Sequence, residues 1–142
     1  MKNEIMGKNL PIGKRIGNIM NLIGNIIWLL LGGLIAAAAW SLAGLILCIT
    51  IIGIPFGMQC FKIAYFVFWP FGKTIELGHF GAGGLIFNII WVIVFGWEFA
   101  ISHLLIGLVF CITIIGIPFG IQHFKFAQLG LIPFGAEIKN SK

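Results

Sequence analysis

Two long apolar stretches dominate the chain. No Lys or Arg occurs from residue 16 to 61 or from 74 to 124, and apolar runs beyond about 18 residues read as bilayer-crossing. Residues 16–54 form a run so long that a single helix, rising about 1.5 Å per residue, would approach twice the roughly 30 Å hydrocarbon thickness. Either the run folds back as a helical hairpin near its middle, or a steeply tilted helix is followed by a segment in the interface. The equivalent later run, residues 85–117, carries Gly96-Trp97-Glu98 and His103 close to its midpoint. A Glu at the midplane of a lone helix costs several kcal/mol, whereas a Glu at a bend meets water, so the hairpin is the cheaper reading. Trp40 and Trp97 near the expected bends suit the interfacial belt, and Gly32-Gly33 and Gly96 permit close helix approach. Against this, the run Ala36 to Ala39 is a good helix former and signals the first bend poorly.

Each run ends in Gly-Ile-Pro-Phe-Gly, where Pro55 and Pro118 disfavour helical geometry at the preceding Ile and suit the first turn of a new helix. Beyond them Gln59 and Lys62 are three apart, and Gln122, Lys125 and Gln128 keep that spacing, so one face is polar. Opposite stand Phe61, Ile63, Phe66, Val67 and Phe68. The pattern predicts amphipathic helices over 55–68 and 118–131 lying in the headgroup plane, with Lys62 and Lys125 reaching lipid phosphate. Lys14 and Arg15 mark the membrane edge and join them as headgroup-binding candidates. Residues 1–13 read as a mostly disordered basic leader.

The chain is written twice. Residues 48–57 and 111–120 both read CITIIGIPFG, an offset of 111 − 48 = 63, and Asn25-Ile26-Ile27-Trp28 returns as Asn88-Ile89-Ile90-Trp91. Such self-similarity in an apolar chain points to two related membrane units. The expected fold is an all-α integral membrane protein with a tail at 1–15 and tandem repeats at 16–78 and 79–142. Each repeat is a transmembrane helical hairpin followed by an interfacial amphipathic helix. Hairpins bring all the cations to one side, so the positive-inside rule makes the repeats parallel and both termini cytoplasmic.

Composition agrees with this reading: 60% of residues are hydrophobic and 9% charged, far from the balance of soluble domains. The first run passes signal-peptide length without a cleavage site, so the N-terminus is expected to be retained. A net charge of +5 strung between apolar runs is not the clustered footprint of a nucleic-acid binder. The three cysteines, Cys48, Cys60 and Cys111, read as small buried hydrophobes and not as a disulfide framework.

Candidate chemistry is thin. The chain has no Asp and only four acidic residues, too few positioned groups for ordinary catalysis, and we expect no enzyme and no cofactor. Cys48, Cys111, His103 and Glu98 lack zinc-type spacing, and Cys60 is His123 in the other repeat, so no metal site is expected. Glu98 and His103 are the ionisable groups inside an apolar run, a position that marks ion paths by default, although a solvated turn Glu is the blander reading. Asn25 and Asn88 are either interhelical polar glue or pore-lining. Thr50 and Thr113 precede the glycines of the broken helices, where free carbonyls can coordinate ions. Together Asn25, Asn88, Thr50 and Thr113, with Glu98 at the outer mouth, form the candidate lining of a cation-preferring path.

The order Asn-Ile-Ile-Trp, Gly96-Trp97, Ile-Gly-Ile-Pro-Phe-Gly, Phe-Lys and Pro-Phe-Gly resembles the small bacterial inner-membrane proteins of the YccF family, over roughly residues 17–139. The resemblance implies location in the inner membrane and brings no catalytic residues with it. The expected function is therefore a non-enzymatic one. It is either an oligomeric channel or transport component, since so small a chain would enclose a polar path most readily by self-association, or a non-conducting scaffold. Membrane lipids and further copies of the chain are the expected partners, and nucleic acid is not.

Overall fold

The computed structural model describes residues 10–78 and 80–141. The chain runs through α1 (Ile12–Trp28), a π-helical turn (Leu29–Gly33), α2 (Leu34–Ile49), α3 (Ile54–Phe68) and β1 (Lys73–Leu77). The same order then returns as α4 (Gly81–Trp91), a π-helical turn (Val92–Gly96), α5 (Trp97–Cys111), α6 (Ile117–Leu131) and β2 (Ala136–Asn140). The expected leader lies mostly outside the described residues, and its last residues already enter helix, since α1 begins at Ile12.

Two helical stretches, Ile12–Ile49 and Gly81–Cys111, are long and apolar enough to cross a membrane. Only 22% and 17% of their most apolar windows are buried, which separates them from the core helices of a soluble protein, where such residues are mostly inside. Ile, Leu, Val and Phe point outward along both.

The bend is not where the sequence pattern suggested. α1 continues into α2 through the π turn, with only Gly32 leaving helical geometry, at φ 132°, and α4 continues into α5 with no such break. The chain reverses instead at Thr50–Gly53 and Thr113–Gly116. The helical hairpins are therefore α2 with α3 and α5 with α6, and the segments expected to lie in the headgroup plane form their second arms. Small residues allow the arms to meet: a Cβ on Gly57 would stand 2.7 Å from the Gly44 carbonyl oxygen, and one on Gly120 2.7 Å from that of Gly107. Poly-Ala keeps the helix going where a fold-back was expected, because Ala has no tendency to stop one.

Each reversal satisfies part of its own backbone through a threonine. The Thr50 hydroxyl donates to Leu47 O and accepts from Gly53 N–H, and Thr113 does the same with Phe110 O and Gly116 N–H. The flanking Ile51, Ile52, Ile114 and Ile115 are each at least 85% exposed.

An element absent from the all-α expectation follows each hairpin. Pro70-Phe71-Gly72-Lys73 closes a turn through Lys73 N–H to Pro70 O, with Gly72 at φ 83°, and Pro133-Phe134-Gly135-Ala136 repeats it with Gly135 at φ 80°. Only Gly enters that conformation freely, so the turn is type II. It delivers β1 and β2, which pair antiparallel with Ile75 opposite Ile138 and Glu76 opposite Glu137. Since 75 + 63 = 138, the pair at the centre of the ladder consists of repeat equivalents, and the pseudo-two-fold axis passes between them. Five-residue strands are short of what the apolar alternation of a sequence can announce, and each is stable only against its copy.

Two side chains per repeat hold this layout. Asn25 donates from Nδ2 to Phe71 O at 3.0 Å and accepts from Phe71 N–H at 2.9 Å; Asn88 makes both bonds to Phe134 at 3.0 Å. The central residue of a β-turn has an N–H and a carbonyl directed outward without partners, and a carboxamide complements both. Trp28 Nε1 donates to Val67 O at 2.8 Å and Trp91 Nε1 to Gly130 O at 2.6 Å, each satisfying a last-turn carbonyl left open by its helix.

Replacing Asn88 with Ala strands a buried N–H and a buried carbonyl, and we expect it to lower unfolding free energy in detergent by about 2–4 kcal/mol. Ser41→Ala, which removes a hydroxyl bonded only to Ala37 O in its own helix, is expected to cost less than about 1 kcal/mol. Equal, small losses in chemical denaturation would overturn the bracket role of Asn88.

Candidate functional site

Polar side chains of the second arms reach across the seam between repeats. Lys62 donates through Nζ to Pro133 O at 2.7 Å and to Ala136 O at 3.1 Å. Lys125 donates to Lys73 O at 2.8 Å, and because 73 + 63 = 136, each ammonium caps the first strand carbonyl of the other repeat. Both lysines are half-buried. Lys62 and Lys125, expected at lipid headgroups, thus have main-chain oxygens as partners, while Gln128 on the same face of α6 is exposed. Gln122 is buried beside them on α6.

Between these polar anchors the seam is aromatic. Phe56 of repeat one packs edge-on against Phe87 and Phe134 of repeat two, at 5.7 and 5.6 Å between centroids, and its counterpart Phe119 meets Phe71 at 5.5 Å. Trp28 meets Phe126 at 5.3 Å and Trp40 meets Phe99 at 4.6 Å. Ile63, Phe66, Phe126 and Leu129 are fully enclosed.

The candidate pore residues do not assemble into one lining. Asn25 and Asn88 are buried at 0% and 5% exposure and occupied by the two Pro-Phe-Gly turns. Thr50 and Thr113 close the hairpin tips, at the far end of α2 and α5 from those turns. Glu98 is exposed in the first turn of α5, well below the tip, so it does not mark the mouth at a hairpin bend. Lys14 and Arg15 stand exposed at the start of α1. On the strands Lys139 pairs with Glu76 and Glu137, and the hydrogen bond it donates to Glu76, with the one to Glu137, raises the pKa of Lys139.

One pairing was invisible in the linear sequence. His103 of α5 and His123 of α6, 20 residues apart, meet Nδ1 to Nδ1 at 2.9 Å, with rings stacked at 5.1 Å between centroids. Only their placement at equivalent heights on antiparallel arms brings them together. Among the described residues no group of three or more His, Cys, Asp or Glu side chains has metal-holding geometry.

Comparison with known proteins agrees with the duplicated architecture. The YccF family, described as an inner membrane component domain, matches residues 23–73 and again 86–136, and 86 − 23 = 63 reproduces the repeat offset. The inner membrane protein YccF of Escherichia coli (strain K12) is 35% identical over 129 residues, covering 84% of this chain and 87% of that protein. The protein of the same name from Shigella flexneri matches with the same identity and coverage. No solved structure matches the chain. With two matches in register with the duplication and a relative aligned along most of its length, the chain belongs to the YccF family of inner membrane proteins.

Proposed function

We propose that this chain is a non-conducting component of the inner membrane, a two-repeat scaffold that presents apolar helix faces to lipid and to partner helices. One observation carries the reading: six of the polar side chains in and beside the apolar runs, the four candidate pore amides and hydroxyls among them, are hydrogen-bonded to the chain's own backbone. Asn25, Asn88, Lys62, Lys125, Thr50 and Thr113 all have main-chain partners. A permeating ion needs groups free to replace its hydration shell. An aromatic seam in place of a polar conduit fits a structural role.

In the orientation we propose, the strand pair lies at the cytoplasmic face and the hairpins enter the bilayer with their Ile-rich tips leading. The distribution of charge supports it. Apart from Glu98, the described charged groups lie at the start of α1, on the strands, or reach the strand end through Nζ, as the positive-inside rule requires of the cytoplasmic side. The Ile75–Ile138 register supports repeats related by an axis along the membrane normal, which in this orientation are parallel with both termini cytoplasmic. From the Asn25 bracket to Thr50 the helix rises roughly 35 Å, enough for the hydrocarbon.

Glu98 favours the second reading, an oligomeric channel. An exposed carboxylate among Trp97, Ile93 and Ile101 is costly in lipid, and a further copy of the chain would cover it.

Topology is tested with reporter fusions after Lys73 and after Lys142, which are expected to give the same cytoplasmic signal; opposite signals would mean inverted repeats. Purified, well-assembled protein in planar bilayers is expected to pass no current. A cation current weakened by Glu98→Gln would overturn the scaffold reading in favour of the channel.

A further inference from the structure

The two repeats are not equivalent at their seam, and the difference opens a cavity. A space of about 270 Å³ is enclosed by Trp28, Ala36, Trp40 and Val67 on one side and Phe110, His123 and neighbouring residues on the other. Its mirror position in the other repeat is filled. Adding 63 turns Gly32 into Phe95 and Ala36 into Phe99. Phe95 lies against Trp91 at 5.5 Å and Phe99 fits between Trp40 and His103 at 4.6 and 4.2 Å. A Cβ on Gly32, by contrast, would meet nothing within 4 Å. The same operation turns Cys60 into His123 and Trp40 into His103, so both imidazoles of the cavity are specific to the second repeat. Duplication supplied two sites; substitution closed one and furnished the other with polar groups.

The chemistry of the walls restricts the occupant. The lining contains no charged side chain apart from what a histidine could carry, so an ion is a poor fit. A plain acyl chain would leave the imidazoles without partners. Because Nδ1 faces Nδ1 at 2.9 Å, one ring donates and the other accepts, which leaves one Nε2 as an acceptor and the other as an N–H donor. Neither Nε2 has a hydrogen-bond partner among the described residues, and neither is sealed, since the buried unpartnered side-chain atoms are Gln59 Oε1 and Gln122 Oε1. Flat walls come from Trp28, Trp40, Phe110, Phe119 and Phe126. Leu31 and Ile106 at the rim are 69% and 40% exposed on the apolar exterior, so the cavity is entered from the lipid side.

We propose that this cavity binds the ring of a membrane-soluble quinone or quinol, stacked between the aromatic walls with its oxygens on the His103 and His123 pair. A neutral planar ring carrying carbonyl or hydroxyl oxygens satisfies both the donor and the acceptor, and its apolar tail leaves past Leu31 and Ile106. The proposal concerns binding and is independent of whether the protein conducts.

The test uses the full chain in lipid nanodiscs, with quenching of Trp fluorescence by decylubiquinone as the readout, since two of the five tryptophans line the cavity. Saturable quenching with a midpoint in the micromolar range is expected, and a purely linear response from wild-type protein would overturn the proposal. The double variant Ala36→Phe with Val67→Gly copies the Phe99 and Gly130 arrangement of the other repeat and is expected to weaken binding at least about tenfold. His123→Cys copies Cys60 and is expected to weaken binding severalfold while leaving the fold intact. Decylbenzene, which lacks ring oxygens, is expected to compete poorly. Equal competition by decylbenzene, or unchanged saturation in folded variants, would show an oxygen-blind apolar crevice and overturn the assignment.

Discussion

Everything in this molecule depends on satisfying main-chain polar groups away from water. A helix does so internally, but each repeat interrupts its helices at a hairpin tip and at a Pro-Phe-Gly turn, and every interruption leaves donors and carbonyls without partners. The tip supplies a Thr hydroxyl that serves a carbonyl and an N–H of its own turn. The Pro-Phe-Gly turn takes a carboxamide from Asn25 or Asn88, and the end of the second arm takes an indole N–H from Trp28 or Trp91. Few polar side chains occur in the apolar runs, and the Asn, Thr and Ser side chains bonded there serve backbone.

The lysines extend that logic across the duplication. Lys62 and Lys125 are buried enough that an isolated ammonium would be costly. Each reaches carbonyls at the start of the other repeat's strand. That exchange, the antiparallel strand pair and the interlocked Phe56 and Phe119 mean that neither repeat completes its own packing. A single repeat would expose two open strand edges and an uncapped ammonium, so the duplicated chain behaves as one body with an internal dimer interface.

Fusing the two copies also frees them to differ. A symmetric dimer of one repeat would carry either two cavities or none, whereas here Gly32 and Ala36 leave a space that Phe95 and Phe99 fill opposite. The polar asymmetry sits at the same place, in the His103 and His123 pair. Conserving the brackets while varying the seam separates what the fold needs from what a site can use.

Much of this was legible in the linear sequence. The 63-residue offset, the apolar runs, the break at Pro55 and Pro118 and the membrane setting follow from composition and repetition, because the bilayer imposes length and polarity on any chain that enters it. Asn25 and Asn88 stood out as polar residues in apolar helix, but whether a carboxamide faces a pore or a turn depends on which backbone lies opposite. The polar face of Gln59 and Lys62 was legible, and its direction was not, since main-chain carbonyls of another repeat and lipid phosphates attract an ammonium alike. The strand pair was hidden because five residues gain their hydrogen bonds only from a copy 63 positions away. The sequence by itself therefore determined the duplication, the helices and their apolar surfaces; only the tertiary structure decided where each run reverses, which partners the buried polar groups find, and that two histidines on different helices share a cavity, because those outcomes rest on contacts between segments distant in the chain.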